Sequence, residues 1–142
     1  IKRMKKFNKL KLNEYEKVFE YLFIDNNHKV ILFNGEIGAG KTTLIQYFSK
    51  RLSVDDKVLS PTFSIIKEYK IKDGLSIYHF DLLRLKSKKE LFDIGFLEYL
   101  ESDNYCFIEW PKIAQDYIQG KFFYIDIEIN DDSTRNLSVS IC

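Results

Sequence analysis

Gly35-Glu36-Ile37-Gly38-Ala39-Gly40-Lys41-Thr42, preceded by Val30-Ile31-Leu32-Phe33, decides the reading of this chain. The octapeptide satisfies G-x-x-x-x-G-K-[ST], the pattern of a phosphate-binding loop. Glycines let the backbone wind round a polyphosphate with successive N–H groups pointing inward and no Cβ in the way. A helix opening near Lys41 adds the positive end of its dipole. A lysine there reaches the β- and γ-phosphates, and a Thr42 hydroxyl suits Mg²⁺. The flanks agree with this reading. Val30 to Phe33 is apolar on both faces, as a central strand covered by helices must be. Leu44, Phe48 and Leu52 then fall on one helical stripe. A plain glycine-rich turn would explain Gly38 and Gly40, but not a lysine and two hydroxyls, Thr42 and Thr43, at the helix start.

Working outward, Asn13 with Glu16 has capping-box spacing and places a helix start there. Tyr15, Val18, Phe19 and Leu22 repeat at helical spacing, and Asp25-Asn26-Asn27 ends the run as a turn. Beyond the loop helix, Phe63 to Ile71 and Leu75 to Phe80 read as strands joined through Lys72-Asp73-Gly74. Ser87 with Glu90 caps a helix that Gly95 ends. Tyr105 to Ile108 is a second buried strand, and Phe122 to Ile129 with Leu137 to Ile141 forms a terminal hairpin. No repeat or linker interrupts the chain. The expected architecture is an α/β P-loop NTPase fold, one three-layer domain over residues 1–142 with a mixed parallel and antiparallel sheet. The first few residues are expected to be a flexible or processing-derived tail.

Length and composition fit one domain. The chain has 142 residues, is 45% hydrophobic and 15% aromatic, and holds only 6 Gly and 2 Pro, which excludes disordered and collagen-like classes. Lys plus Arg is 22 against 21 for Asp plus Glu, a net charge of +1 that argues against a general polyanion binder. No apolar run approaches the ~18 residues of a membrane span. The basic opening from Lys2 to Lys11 runs into Asn13-Glu14-Tyr15-Glu16-Lys17, unlike a secretory signal. Cys106 and Cys142 give neither a disulfide partner nor metal-ligand spacing, and the expected setting is cytoplasmic.

A P-loop site needs a carboxylate at a nearby strand end to hold Mg²⁺. Two are offered: Glu109 after Tyr105 to Ile108, and Asp81 after Ile77 to Phe80. Spacing does not rank them, although the more uniformly apolar first strand suits a place beside the loop strand. Thr62, in the loop after the P-loop helix, has the position of a γ-phosphate sensor. His79, within a strand pattern, reads as a packed core histidine. Trp110 suits either the core or a cover for the site. The Asn-Lys-x-Asp tetrapeptide of guanine-specific GTPases is absent. Only four arginines occur (Arg3, Arg51, Arg84 and Arg135), too scattered for a kinase lid. Arg84 is the one candidate for a finger acting in cis.

The ordered set Gly35 to Thr43, Ser60-Pro61-Thr62-Phe63, Tyr78-His79-Phe80-Asp81-Leu82 and Ile108-Glu109-Trp110-Pro111 resembles the TsaE family. These are small P-loop ATPases of bacterial tRNA threonylcarbamoyladenosine biosynthesis. The resemblance implies ATP bound by Ile37, Gly38, Ala39, Gly40, Lys41, Thr42 and Thr43, with Thr42 and Glu109 on Mg²⁺. It implies Asp81 and Lys41 as catalytic groups, and Ser60 and Thr62 in a nucleotide-sensing switch. Weaker matches add Lys11, Lys112 and Arg135 as nucleotide contacts. It further implies TsaD and TsaB homologues as partners, with tRNA met only through that complex, and hydrolysis that resets the complex between turnovers. The alternative is a small-molecule or nucleoside kinase on the same scaffold. One departure stands out: Leu83 occupies a position, two residues after Asp81, where the family usually has Tyr.

Overall fold

The two continuous apolar runs, Val30 to Phe33 and Tyr105 to Ile108, become neighbouring strands at the centre of a seven-stranded sheet. The structure is a computed structural model and describes residues 3–52, 54, 65–71 and 74–142. Its strands are β1 (Arg3–Leu10), β2 (Val30–Asn34), β3 (Ile66–Lys70), β4 (Ser76–Asp81), β5 (Tyr105–Glu109), β6 (Phe123–Ile129) and β7 (Arg135–Ile141), in the order β1-β7-β6-β2-β5-β4-β3. The pairs β2–β5, β2–β6 and β4–β5 are parallel; β3–β4, β6–β7 and β1–β7 are antiparallel. A parallel centre with antiparallel wings is the mixed sheet the run of elements implies. All five residues of β5 are buried, the signature of a strand covered on both faces.

Alternation along the strands divides the core into two layers. Ile31 and Phe33 of β2, Ile77 of β4 and Phe107 of β5 face α1 (Glu16–Phe19) and α2 (Lys41–Arg51), where Val18, Phe19, Leu44, Ile45 and Phe48 pack. Leu32, Phe80, Cys106 and Ile108 point the other way, onto Leu91 of α3 (Lys88–Asp93) and Phe96 of α4 (Phe96–Glu101). The first layer is aromatic at its centre. Phe107 meets Phe33 at 5.7 Å and Phe48 at 6.4 Å between ring centroids, both near-perpendicular, the arrangement that ring quadrupoles favour.

Four local features differ from the pattern reading. The basic opening, to which the pattern assigns no element, forms a strand: Arg3–Leu10 pairs antiparallel with β7, an edge strand whose exposed lysines hide the strand alternation. The Asn13–Glu16 capping box does not form. The Glu16 carboxylate instead takes a two-pronged bond from Arg51 on α2, with Nε at 2.7 Å and Nη2 at 3.0 Å. A single 3₁₀ turn (Leu12–Glu14) opens the helical stretch, with the Lys11 N–H donating to Glu14 Oε1 and the Glu14 N–H to the Lys11 carbonyl, both at 3.0 Å. After α1 the helix widens into a π-helical segment, Glu20–Asn26, closed by Asn27 at φ 70°. Finally, α4 follows Gly95 directly. Ser87 caps α3 as its spacing predicts, accepting from the Glu90 N–H at 3.3 Å, and Gly95 at φ 78° both ends α3 and starts α4. The Ser60-Pro61-Thr62-Phe63 motif and the Lys72-Asp73 turn lie outside the described residues.

Candidate active site

The parallel register fixes the chemistry at one end of the sheet. β2 delivers Gly35 to the loop, β5 ends in Glu109, and β4 ends in Asp81, which is the direct Cα partner of Glu109. The two acids that sequence spacing left unranked therefore stand side by side. They lie on the α2 face, because Phe107 two residues before Glu109 and Ile77 four before Asp81 belong to that layer.

The loop has the backbone its glycines permit. Gly38 at φ 84° and Gly40 at φ 102° are left-handed, and Gly40 immediately precedes α2. Gly35 lies so close to β6 that an added Cβ would stand 2.9 Å from the Ile127 carbonyl oxygen. The Ala39 N–H closes onto the Glu36 carbonyl at 3.0 Å. The result is a cleft of about 400 Å³ lined by Glu36 to Gly38, Gly40 to Thr43, Leu83, Glu109, Trp110 and Arg135.

Lys41 is buried beneath this loop. Its ammonium donates to the Gly35 carbonyl, and to that of Glu36 at 3.3 Å, and lies 3.7 Å from the centre of the Trp110 ring. Burial pulls its pKa down, and the charges of Glu109, Asp81 and Glu36 oppose that. Asp81 is shifted up, chiefly by burial; the Leu83 N–H, which donates to its Oδ1 at 3.1 Å, pulls the other way, and Glu109 adds to the rise. Trp110 follows Glu109 at φ 56° and ψ 60°, a left-handed conformation uncommon for a bulky residue, and this turn carries its ring over Lys41.

Of the residues expected at the site, the structure brings Ile37, Gly38, Gly40, Lys41, Thr42, Thr43, Glu109 and Arg135 onto one cleft. Ala39 is buried behind the loop. Arg135, at the start of β7, donates from Nε to the Ala39 carbonyl at 2.9 Å and so braces the loop from the far end of the sequence. Lys11 and Lys112 are exposed and do not line the cleft. Arg84 is also exposed, one residue beyond Leu83, whose half-exposed side chain forms part of the cleft wall. His79 is buried as expected, but it is not inert packing. Its Nε2 lies 2.6 Å from Glu109 Oε2, a pairing no sequence spacing signals because 30 positions separate them.

The donor set suits Mg²⁺. Among the described residues no group of three or more His, Cys, Asp or Glu side chains gathers to cage a metal. A hard, octahedral cation held by one hydroxyl, one carboxylate, substrate phosphates and water requires none. Thr42 and Glu109 on a common cleft supply that pair.

The profile of the family described as "Threonylcarbamoyl adenosine biosynthesis protein TsaE" matches residues 9–137. The chain belongs to the TsaE family. A TsaE protein of Haemophilus influenzae is 36% identical over 78% of this chain and 68% of its own length. One of Bacillus subtilis is 36% identical over 77% of this chain and 67% of its own. The alignment with a Rickettsia felis relative, 34% identical, spans 64% of that protein. These relatives carry the name tRNA threonylcarbamoyladenosine biosynthesis protein TsaE. The crystal structure of Bacillus subtilis YdiB superposes with a TM-score of 0.71 at 26% identity, covering 99% of this chain and 86% of that one. The TsaE match contains every cleft-lining residue, from the loop to Arg135. No helix among the described residues is long and apolar enough to cross a membrane.

Proposed function

We propose that this TsaE-family chain is a Mg²⁺-dependent ATPase that serves tRNA threonylcarbamoyladenosine formation as an accessory subunit of TsaB and TsaD homologues in the cytoplasm. The observation that carries this reading is the convergence of Lys41, the first residue of α2, with Asp81 and Glu109 at the ends of the adjacent parallel strands β4 and β5, beside a loop with two left-handed glycines.

In this reading the backbone N–H groups of Gly38 and of Gly40 to Thr43, with the Lys41 ammonium, hold the phosphates of ATP. Lys41 already has part of its water stripped away, so its charge acts in a low-dielectric setting where it is worth more than in bulk water. The Thr42 hydroxyl and Glu109 carboxylate would hold Mg²⁺, which would supply neutralisation of the charge that develops on the transferred phosphoryl group. Asp81, anchored by the Leu83 N–H, orients the attacking water. Its raised pKa brings the carboxylate closer to accepting a proton than a solvated aspartate is. Arg135 holds the loop in its cradle form, and Trp110 covers the lysine. Ser60 and Thr62 belong to the sensing segment in this reading.

The test is ATP hydrolysis by the purified protein with Mg²⁺, alone and with a purified TsaB–TsaD pair. Slow turnover alone and clear acceleration by the pair support an accessory ATPase. Fast turnover unchanged by the pair overturns the accessory role. Transfer of the γ-phosphate to a small acceptor instead of water would establish the kinase alternative.

A further inference from the structure

His79 has no solvent access, and its only hydrogen-bonded polar contact among the described residues is with Glu109. In the β4–β5 register His79 pairs with Phe107 and Asp81 pairs with Glu109, so the imidazole sits one step below the two acids on the same face of the sheet. Its ring reaches diagonally up to Glu109, with Nε2 at 2.6 Å from Oε2. A carboxylate oxygen only accepts, so the ring hydrogen belongs on Nε2. Nδ1 is buried and finds no partner among the described residues. Around the ring lie Tyr69, at 6.2 Å between ring centroids, and Phe107 across the strand pair, with Lys67 as the β3 partner of His79 and Asp81 two residues along β4. An apolar side chain would fill this space without stranding a polar nitrogen. Burying an imidazole with one nitrogen unpaired costs free energy that packing does not require.

We propose that His79 is a positioning residue: its Nε2–H fixes the rotamer of Glu109, so that the carboxylate is presented to the divalent cation at the P-loop. The proposal rests on the reading above that Glu109 holds Mg²⁺. Asp81 is anchored separately, by the backbone N–H of Leu83, so each acid has its own restraint. Groups that orient a metal-binding carboxylate typically contribute ~10- to 100-fold to metal affinity.

The experiment measures Mn²⁺ binding by electron paramagnetic resonance, in the presence of saturating adenylyl imidodiphosphate, for the intact chain and its variants. In His79→Gln the amide nitrogen occupies about the place of Nε2 and keeps the bond. In His79→Asn the shorter side chain does not reach Glu109. His79→Asn is expected to weaken Mn²⁺ binding ~10-fold or more, with His79→Gln staying within ~3-fold of the parent. Affinity for the nucleotide in EDTA should be the same in all three, read by calorimetry. Unchanged Mn²⁺ affinity in His79→Asn, where Glu109→Gln abolishes it, would reduce His79 to packing and overturn the proposal. Equal loss of metal-free nucleotide binding in His79→Asn would also overturn it, since the effect would then be general damage to the loop. Unchanged Mn²⁺ affinity in Glu109→Gln itself would instead remove the cation assignment of Glu109, and the proposal with it. Should His79→Asn fail to fold, His79→Phe, which fills the site without a donor, takes its place with the same expected loss.

Discussion

The ammonium of Lys41, at the start of α2, lies 3.7 Å from the centre of the ring of Trp110, which follows the end of β5 and is remote from it in sequence. A cation over an indole face contributes about 0.5–2 kcal/mol. Here it parks the lysine together with two loop carbonyls. In the proposed reading, a bound polyphosphate would compete for the same ammonium. Trp110 is the only tryptophan in the chain, so its emission reports that exchange. Adding ATP with Mg²⁺ should change the fluorescence intensity. Lys41→Met should alter the nucleotide-free spectrum and weaken nucleotide binding ~10- to 100-fold, the size of a lost charged hydrogen bond. A flat emission trace under conditions where calorimetry shows saturation would contradict the exchange.

Asp81→Asn and Glu109→Gln keep the size of each side chain while removing its charge. Each should lower ATP hydrolysis by ~10²-fold or more, as losing one polar group at a reacting centre usually does. Circular dichroism should show an unchanged fold. Near-normal turnover in both variants would sink the assignment of these acids.

Gly40 and Gly38 are both left-handed, but only Gly40 is crowded. A Cβ there would sit 2.5 Å from Arg135 Nε, whereas one at Gly38 meets nothing within 4 Å. Gly40→Ala must displace Arg135 from the Ala39 carbonyl and also strain the backbone. Isothermal titration with ATP should therefore show a larger loss for Gly40→Ala than for Gly38→Ala, which pays ~1–2 kcal/mol of backbone strain alone. Equal losses would show that the Arg135 brace contributes nothing to binding.

Phe107 stands at the centre of the aromatic layer between β5 and α2, in contact with Phe33 and Phe48. Phe107→Ala should cost about 3–5 kcal/mol in urea unfolding, through lost burial and the cavity left behind. Ile24, 65% exposed, provides the contrast: Ile24→Ala should stay within about 0.5 kcal/mol.

Cys106 is buried on the α3–α4 face of β5, and burial pushes its thiol up to about 12. A folded-state pKa raised above the unfolded value means that, between about pH 9 and 12, the unfolded chain has released a proton the folded chain retains. Stability therefore falls as pH rises through this window, with Cys106 contributing at most roughly 1.4 kcal/mol per pH unit. Cys106→Ala should flatten that slope in denaturant melts across alkaline pH. A thiol reagent at pH 8 should label Cys142, which is partly exposed, well before Cys106, which should react only on unfolding. Rapid labelling of both thiols in the native protein would show that the β5 layer opens readily.

The sequence alone determined the loop, its flanking strand and helix, the terminal hairpin and the acids at the ends of β4 and β5. Each of these rests on local chemistry: glycine freedom, helical and strand periodicity, or a charge where an apolar run stops. Local chemistry did not reveal β1, because the polar residues of an exposed edge strand leave no alternation to read. It misplaced the first helix start, because Glu16 answers to Arg51, 35 positions away, and not to Asn13. The tertiary structure alone decided which strands are neighbours. That choice set Asp81 beside Glu109, His79 beneath Glu109, Trp110 over Lys41 and Arg135 against the loop. All four relationships join residues remote in sequence, and only the folded sheet and the loops at its end bring them together.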